Sequence, residues 1–432
     1  MPLHRGASQS QQGQLCLWII CLLVLAAVGS GDQSCDADLD LTADPAGTDA
    51  APSATQHARS QRDQRNTGSS FVASVTLTNG GGDELRGALL SVVKWVDACI
   101  VLDTGITDNT VEVAKLAAGD KLLLQKLPWP GSFAEARNAA LDAAAAVGAQ
   151  WAIMLDTDER IHCSLATTGA VDDEACSGLL SLLANSSAAM ISMLHASATY
   201  HKPRIFRMPR AGSFQGRTHE WFALQPGAMQ HTLDGSTVFA ELPKDARGVQ
   251  AKAARDIQLL GQETAAAPQE QRWWYYLGDA YEISGDCNAA VKAWGTCAGI
   301  SSGWAEEGAW CMYRAAACHA RSRDWDAALQ ALARGMTRHP GLPELPWYAG
   351  WVCYQAGRYK EATAWSHMSM ALGCNEGLCV DRIGFSHPPG KYEGPYDVLK
   401  WALKALGDEA GAAAAEVKEQ KALAARKALG AK

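Results

Sequence analysis

Three segments, Asp103-Thr-Gly-Ile-Thr-Asp-Asn-Thr110, Ala136-Arg-Asn138 and Leu155-Asp-Thr-Asp-Glu159, decide how the chain reads. The first and third follow short apolar runs, Ala98–Leu102 and Trp151–Leu155, that have the length of buried strands. Carboxylates therefore stand where strands end. In open α/β sheets that edge is where ligands bind. Two aspartates one residue apart suit a hard divalent cation, and such a cation holds a diphosphate.

Outward from these segments the periodicity alternates between strand and helix. Phe71–Leu77 reads as a strand, and Leu85, Leu89, Val92 and Val93 recur at helical spacing. A helix from about Asp108 to Ala118 and a strand at Lys121–Gln125 follow. Ser132-Phe-Ala-Glu135 is a capping box that opens a helix running to about Val147. Further strands are expected at Ala188–Leu194 and Arg204–Phe206. Strands alternating with helices predict a mainly parallel sheet.

After about residue 250 the strand signals fade. Gly285-Asp286, Arg323-Asp324 and Gly357-Arg358 recur at spacings of 38 and 34 residues, each followed by alanines. That approximates the roughly 34-residue period of tetratricopeptide (TPR) helix pairs. The tryptophans in this region, Trp273, Trp294, Trp310 and Trp351 among them, read as solenoid core rather than sugar platforms. Tyr396 to about Leu406 looks like one more helix, and the Ala/Lys/Glu-rich remainder like a solvated, fraying one.

The expected organisation is thus a leader over 1–30, a disordered spacer over 31–69, an α/β domain over 70–245, helical repeats over 250–406 and a tail over 407–432. The leader couples Arg5 to the apolar run Leu15–Val28 and to small residues after it, as a secretory signal peptide does. An uncleaved membrane anchor is the competing reading. Either places the chain in the secretory pathway: the ER or Golgi lumen, anchored there, or secreted. The spacer is too polar to bury a core.

A formal charge of −8 excludes the basic footprint of a nucleic-acid binder. Of 13 cysteines, Cys163 with Cys176 and Cys374 with Cys379 flank polar loops and read as disulfides of an oxidising compartment. Cys311, Cys318 and Cys353 read as small buried hydrophobes. Asn185-Ser-Ser187 is a glycosylation sequon.

Taken in order, Thr78-Asn79, Val101–Thr110, Phe133–Asn138, Leu155–Glu159, Arg204–Arg207 and His219-Glu220 resemble glycosyltransferase family 2, in the subgroup that joins a GT-A catalytic domain to tetratricopeptide-like repeats. The resemblance covers about 70–406. It implies a Rossmann-like α/β GT-A domain with a mainly parallel sheet, then an all-α repeat domain. It also implies an inverting, metal-dependent transferase moving a sugar from a UDP- or GDP-linked donor to a glycan or protein hydroxyl.

On that resemblance Asp156 and Asp158 form the DxD element that binds Mn2+ or Mg2+, with His219 as a third ligand or as a phosphate contact. The metal would neutralise the departing diphosphate. Thr78, Asn79, Asp103, Asp108, Arg137, Asn138 and Asp156 would bind the nucleotide sugar, Arg137 by its fixed guanidinium fork. Glu220 would deprotonate the acceptor, with Glu159 as a rival base. Asp108 reads equally well as a helix cap. Ile106 stands where the family string carries Ser, so base contacts in that loop are less well founded.

Two other classes compete. One is a repeat-containing adaptor or scaffold whose transferase-like domain is catalytically inactive. The other is a nucleotidyltransferase. It would need a Lys-bearing Gly-rich loop, and no Lys follows Gly80-Gly81-Gly82 until Lys94.

Overall fold

The computed structural model describes residues 70–163, 176–196, 200–233, 237–374 and 385–428. The leader, the spacer and Cys379 lie outside these residues. Among the described residues no helix is long and apolar enough to cross a membrane.

The first half alternates strand and helix: β1 (Val72–Thr78), α1 (Gly82–Leu90), β2 (Ala98–Asp103), α2 (Thr110–Ala118), β3 (Leu122–Lys126), α3 (Phe133–Ala146) and β4 (Trp151–Met154). The four strands are mutually parallel in the order β3-β2-β1-β4. Strands β1, β2 and β4 are buried on both faces because helices cover both, whereas β3, at the sheet edge, is exposed from Leu124 onward. Trp151 and Ile153 of β4 pack with Leu85 and Leu89 of α1, whereas Ala152 and Met154 pack with Leu141 of α3. That is the period-two alternation of a strand. Helix α3 starts as its sequence demands: Ser132 Oγ accepts the Glu135 N–H at 3.2 Å.

Beyond β4 the sheet departs from the mainly parallel expectation. It continues through β5 (Glu159–Cys163), α4 (Cys176–Asn185), β6 (Met190–His195), β7 (His201–Arg207), β10 (Gln230–Thr232) and β11 (Thr237–Glu241). Strand β7 runs antiparallel to both β4 and β6, and β5 antiparallel to β11. A separate ribbon pairs β8 (Gly212–Gln215) with β9 (Trp221–Leu224). The result is a mixed sheet curled into a half-barrel, so the GT-A assignment is not supported. Strands β5 and β8 to β11 carried no clear sequence signal, being three to five residues long and partly polar.

From α5 (Ala246–Ala266) onward the described chain is helical. Helices α6 (Gln271–Ser284) and α7 (Cys287–Gly299), α8 (Ala305–Arg321) and α9 (Trp325–Arg338), and α10 (Glu344–Gln355) and α11 (Tyr359–Leu372) form three pairs. Each pair turns through a left-handed residue, Gly285, Arg323 or Gly357. Asp286 and Asp324 then cap the next helix by accepting the N–H of Ala289 and Ala327. Five residues after each turn residue stands a fully buried alanine: Ala290, Ala328 and Ala362. Seven before it stands Gly278, Ala316 or Gly350, where the helices cross. A Cβ on Gly278 would lie 2.3 Å from the Trp294 indole nitrogen.

The same signature returns in α13 (Gly394–Ala405) and α14 (Glu409–Ala428). Gly407 is left-handed, Asp408 caps through Gly411 N–H at 2.8 Å, and Ala412 is buried. Helix α14 is therefore the packed second member of a fourth pair, not a solvated tail. It is held by the buried Arg426–Glu393 ion pair and by Lys400 with Glu419. The expected tryptophan core is present: Trp294 and Trp310 lie inside the main helical cluster.

Cysteine pairing is more extensive than expected. Cys163–Cys176 forms, as do Cys287–Cys318 and Cys297–Cys311 within the repeats. Cys311 and Cys318 are thus bonded rather than free, while Cys353 is a buried free thiol as anticipated. Asn185 of the sequon is exposed at the end of α4.

Candidate functional site

Parallel register brings the strand ends to one edge. Thr78 pairs with Asp103, and Leu155 N–H donates to Val75 O at 3.0 Å. What the side chains do there differs from residue to residue.

Several of them shape loops. Asp103 Oδ1 accepts the N–H groups of Gly105 and Ile106 at 2.9 and 2.7 Å, and these bonds hold its carboxyl below the usual range. Asp108 accepts Gly81 N–H at 3.1 Å and Thr110 N–H at 3.0 Å, tying the β1 loop to the start of α2. Thr78 Oγ1 donates to Gly80 O. Asn138 makes a two-way clamp on Phe214, donating to its carbonyl at 3.0 Å and accepting its N–H at 2.8 Å. Asn79 is exposed at the rim.

At the centre of the edge lies a closed network of five charges. Arg137, buried on α3, holds Asp156 through both Nη atoms at 2.8 and 2.9 Å and Glu220 through Nε at 2.6 Å. Arg204, buried on β7, reaches Glu159 and, at 3.4 Å, Asp156. The two guanidiniums pull the Asp156 carboxyl far below its ordinary range. Burial drives Glu159 upward even though Arg204 opposes it. Asp158 takes no part in this network. It pairs with Lys244, which follows β11.

His219 points elsewhere. Its Nε2 meets Asp256 of α5 at 3.2 Å, its ring stacks on Tyr276 of α6 at 4.0 Å, and its carbonyl accepts from Arg272 at 3.0 Å. It adopts a positive φ of 49° to do so. Thr218 and Lys252 also engage Asp256, whose carboxyl is held well below the usual range by burial-offsetting bonds to His219 and Lys252. His219 is thus a domain-junction residue rather than a third member of an Asp156/Asp158 ligand set. Among the described residues no group of three or more His, Cys, Asp or Glu side chains is placed to hold a metal ion.

Sequence reasoning therefore located Arg137, Asp156 and Glu220, and the structure brings these three together. It missed Lys244, in the loop after β11, and Asp256 and Arg272, on α5 and α6, which lie far along the chain and announce themselves by no local pattern. Chemically, the network is charge-balanced within one unit. Each carboxylate in it already faces a cation, and an incoming anion has to displace one of them.

No family model matches the chain. A TPR repeat-containing protein of Synechococcus elongatus is 47% identical over 77 residues, which is 18% of each protein. The chain thus matches only about a fifth of that curated relative's length. Among solved structures, a MamA crystal structure overlaps 43% of this chain and 99% of its own at 15% identity, with a TM-score of 0.32. BtubC from P. vanneervenii overlaps 42% of this chain and 84% of its own at 15% identity, with a TM-score of 0.31. The repeat-containing relative, with no family model matching, overturns the resemblance to glycosyltransferase family 2 and the expectation of a transferase that rested on it. The curated relative is described by its repeats, not as a glycosyltransferase.

Proposed function

We infer that the chain is a repeat-containing adaptor or scaffold, in which the stacked helix pairs bind a partner protein and the α/β domain is a catalytically silent companion. One observation carries the reading: the side chains expected to do chemistry are committed to one another or to the fold. Arg137 is closed by Asp156 and Glu220, Asp158 by Lys244, and His219 by Asp256 and Tyr276. The repeat-containing description of the S. elongatus relative supports a binding role. The disulfides among the described residues support an oxidising compartment, in keeping with a secretory leader.

The test is turnover. The full chain is incubated with UDP- and GDP-sugars and Mn2+ or Mg2+, and release of nucleoside diphosphate is followed. The adaptor reading expects none, and expects Asp158→Ala to change nothing. Metal-dependent release abolished by Asp158→Ala overturns it. A thermal-shift series on the same mixtures separates silent ligand binding at the strand ends from no binding at all.

A further inference from the structure

The first helices of successive pairs, α6, α8 and α10, stand side by side, and a stretch of the chain lies across them. Phe385, Ser386 and His387, outside any helix or strand and with His387 in the extended region, pass from α6 and α8 toward α10, and a one-turn helix α12 (Pro388–Lys391) follows. The Phe385 ring sits 5.0 Å from Tyr275 and stacks on Trp310 at 5.8 Å. The His387 ring meets Trp347 edge-on at 4.9 Å, and Tyr313 Oη lies 2.7 Å from its Nδ1. Ser386 between them is exposed.

The main chain is gripped as well. Phe385 N–H donates to Glu306 Oε1 at 3.0 Å, and His387 N–H donates to Glu344 Oε1 at 3.3 Å. Both carboxylates are buried, at 5% and 0% exposure. Carboxylates that read backbone N–H groups two residues apart recognise an extended strand whatever its side chains. The aromatic pockets then select the alternate residues.

The repeat spacing shows that this stretch is extra to the helix pairs. The turn residues Gly285, Arg323 and Gly357 follow at 38 and 34 residues, but Gly407 comes 50 after Gly357. The surplus lies between α11 and α13, where Phe385–Lys391 sits.

We propose that the face of α6, α8 and α10 is a binding groove for an extended segment of a partner protein, one carrying an aromatic side chain and an imidazole two residues later, and that Phe385–Lys391 is its resident intramolecular competitor. This rests on the adaptor reading and names the surface it uses. A tethered competitor acts at an effective concentration on the order of millimolar, so it masks the groove from weak partners.

The experiment uses the full chain and a labelled heptapeptide, Phe-Ser-His-Pro-Pro-Gly-Lys, that reproduces residues 385–391. Fluorescence anisotropy measures its binding to the wild-type protein and to the Phe385→Ala/His387→Ala variant. Saturable binding to the variant, at least about 10-fold tighter than to wild type, is expected. It should be lost when the peptide's Phe is replaced by Ala. A folded variant that shows no saturable binding, or that binds no better than wild type, overturns the proposal. Amide exchange on the wild-type protein keeps the question open to refutation if the variant does not fold. The Phe385 and His387 amides should exchange through local opening, at least about 100-fold faster than core amides of α8. Exchange only through global unfolding overturns the proposal. Neither readout involves nucleotide-sugar turnover, so this surface and the silent strand-end site stand or fall separately.

Discussion

Replacing Arg137 by Met tests the closed charge network most directly. The guanidinium touches Asp156 at 2.8 and 2.9 Å and Glu220 at 2.6 Å, and it is only 6% exposed. Removing it leaves Arg204 as the one cation in the network for three carboxylates. Breaking a buried ion pair from one side costs about 3–5 kcal/mol, because the remaining charges stay desolvated. For a domain of this size that lowers Tm by roughly 6–20 °C.

The loss carries a pH signature. In the wild-type protein Asp156 is held well below its ordinary range by Arg137 and Arg204. Its contribution to stability is present above the unfolded carboxylate range and disappears as pH falls through the folded value. The variant lacks most of that contribution. The gap between the two proteins should therefore be widest at neutral and alkaline pH and should narrow below about pH 4. Urea denaturation followed by far-UV circular dichroism, carried from pH 8 down to about pH 2, measures it. The double variant Arg137→Met/Glu220→Gln should recover part of the loss, with a coupling of about 1–3 kcal/mol. A loss under about 1 kcal/mol, or one that does not vary with pH, refutes the closed network and means water or ions already screen these groups.

Other consequences are as direct. Cys297→Ser with Cys311→Ser opens a 14-residue separation inside the repeats and should cost about 3 kcal/mol, seen as a lower melting temperature that reductant reproduces in the wild-type protein. Glu307, on α8, has its carboxyl pushed up to about 7 by burial, so it favours folding at acid pH and withdraws that support as pH rises from its ordinary range to about 7. Glu307→Gln should stabilise the protein by about 1–2 kcal/mol at pH 8, after allowance for partial solvation, and leave it unchanged at pH 4. Gly278→Ala forces a methyl to within 2.3 Å of Trp294 Nε1 and should destabilise the repeats by about 1–3 kcal/mol in the same denaturation assay, whereas Gly295→Ala, with open space around it, should not.

What the sequence made legible follows from how strongly each residue's neighbours constrain it. Strands β1, β2 and β4 were readable because they are buried on both faces, and α3 because the Ser132 cap is local. Strands β8 and β9 were not, because Phe214 and Phe222 take their place from packing on Phe206, two turns of chain away. The helix pairs announced themselves through Gly285-Asp286 and Arg323-Asp324. The fourth pair escaped notice because the inserted stretch broke the spacing and because Ala412 and Ala415 hide in an alanine-rich run. At the strand ends the residue types were legible but their partners were not. Arg137 with Glu220 spans 83 positions, and Asp158 with Lys244 spans 86. A pattern of carboxylates on strand ends does not reveal whether the fold already pairs them with cations.

His219 and Glu220 are neighbours in the chain but face opposite ways, one onto Asp256 and Tyr276 of the helical half, the other onto Arg137 of the sheet. The peptide unit between them is therefore one direct link between stacked helices and strand-end charges, beside the Thr218–Asp256 and Arg217–Glu263 bonds. Any load that tilts α6 against the sheet is delivered to Arg137 without an intervening flexible loop. The seam between the halves thus runs through adjacent residues, His219 and Glu220, rather than through a linker.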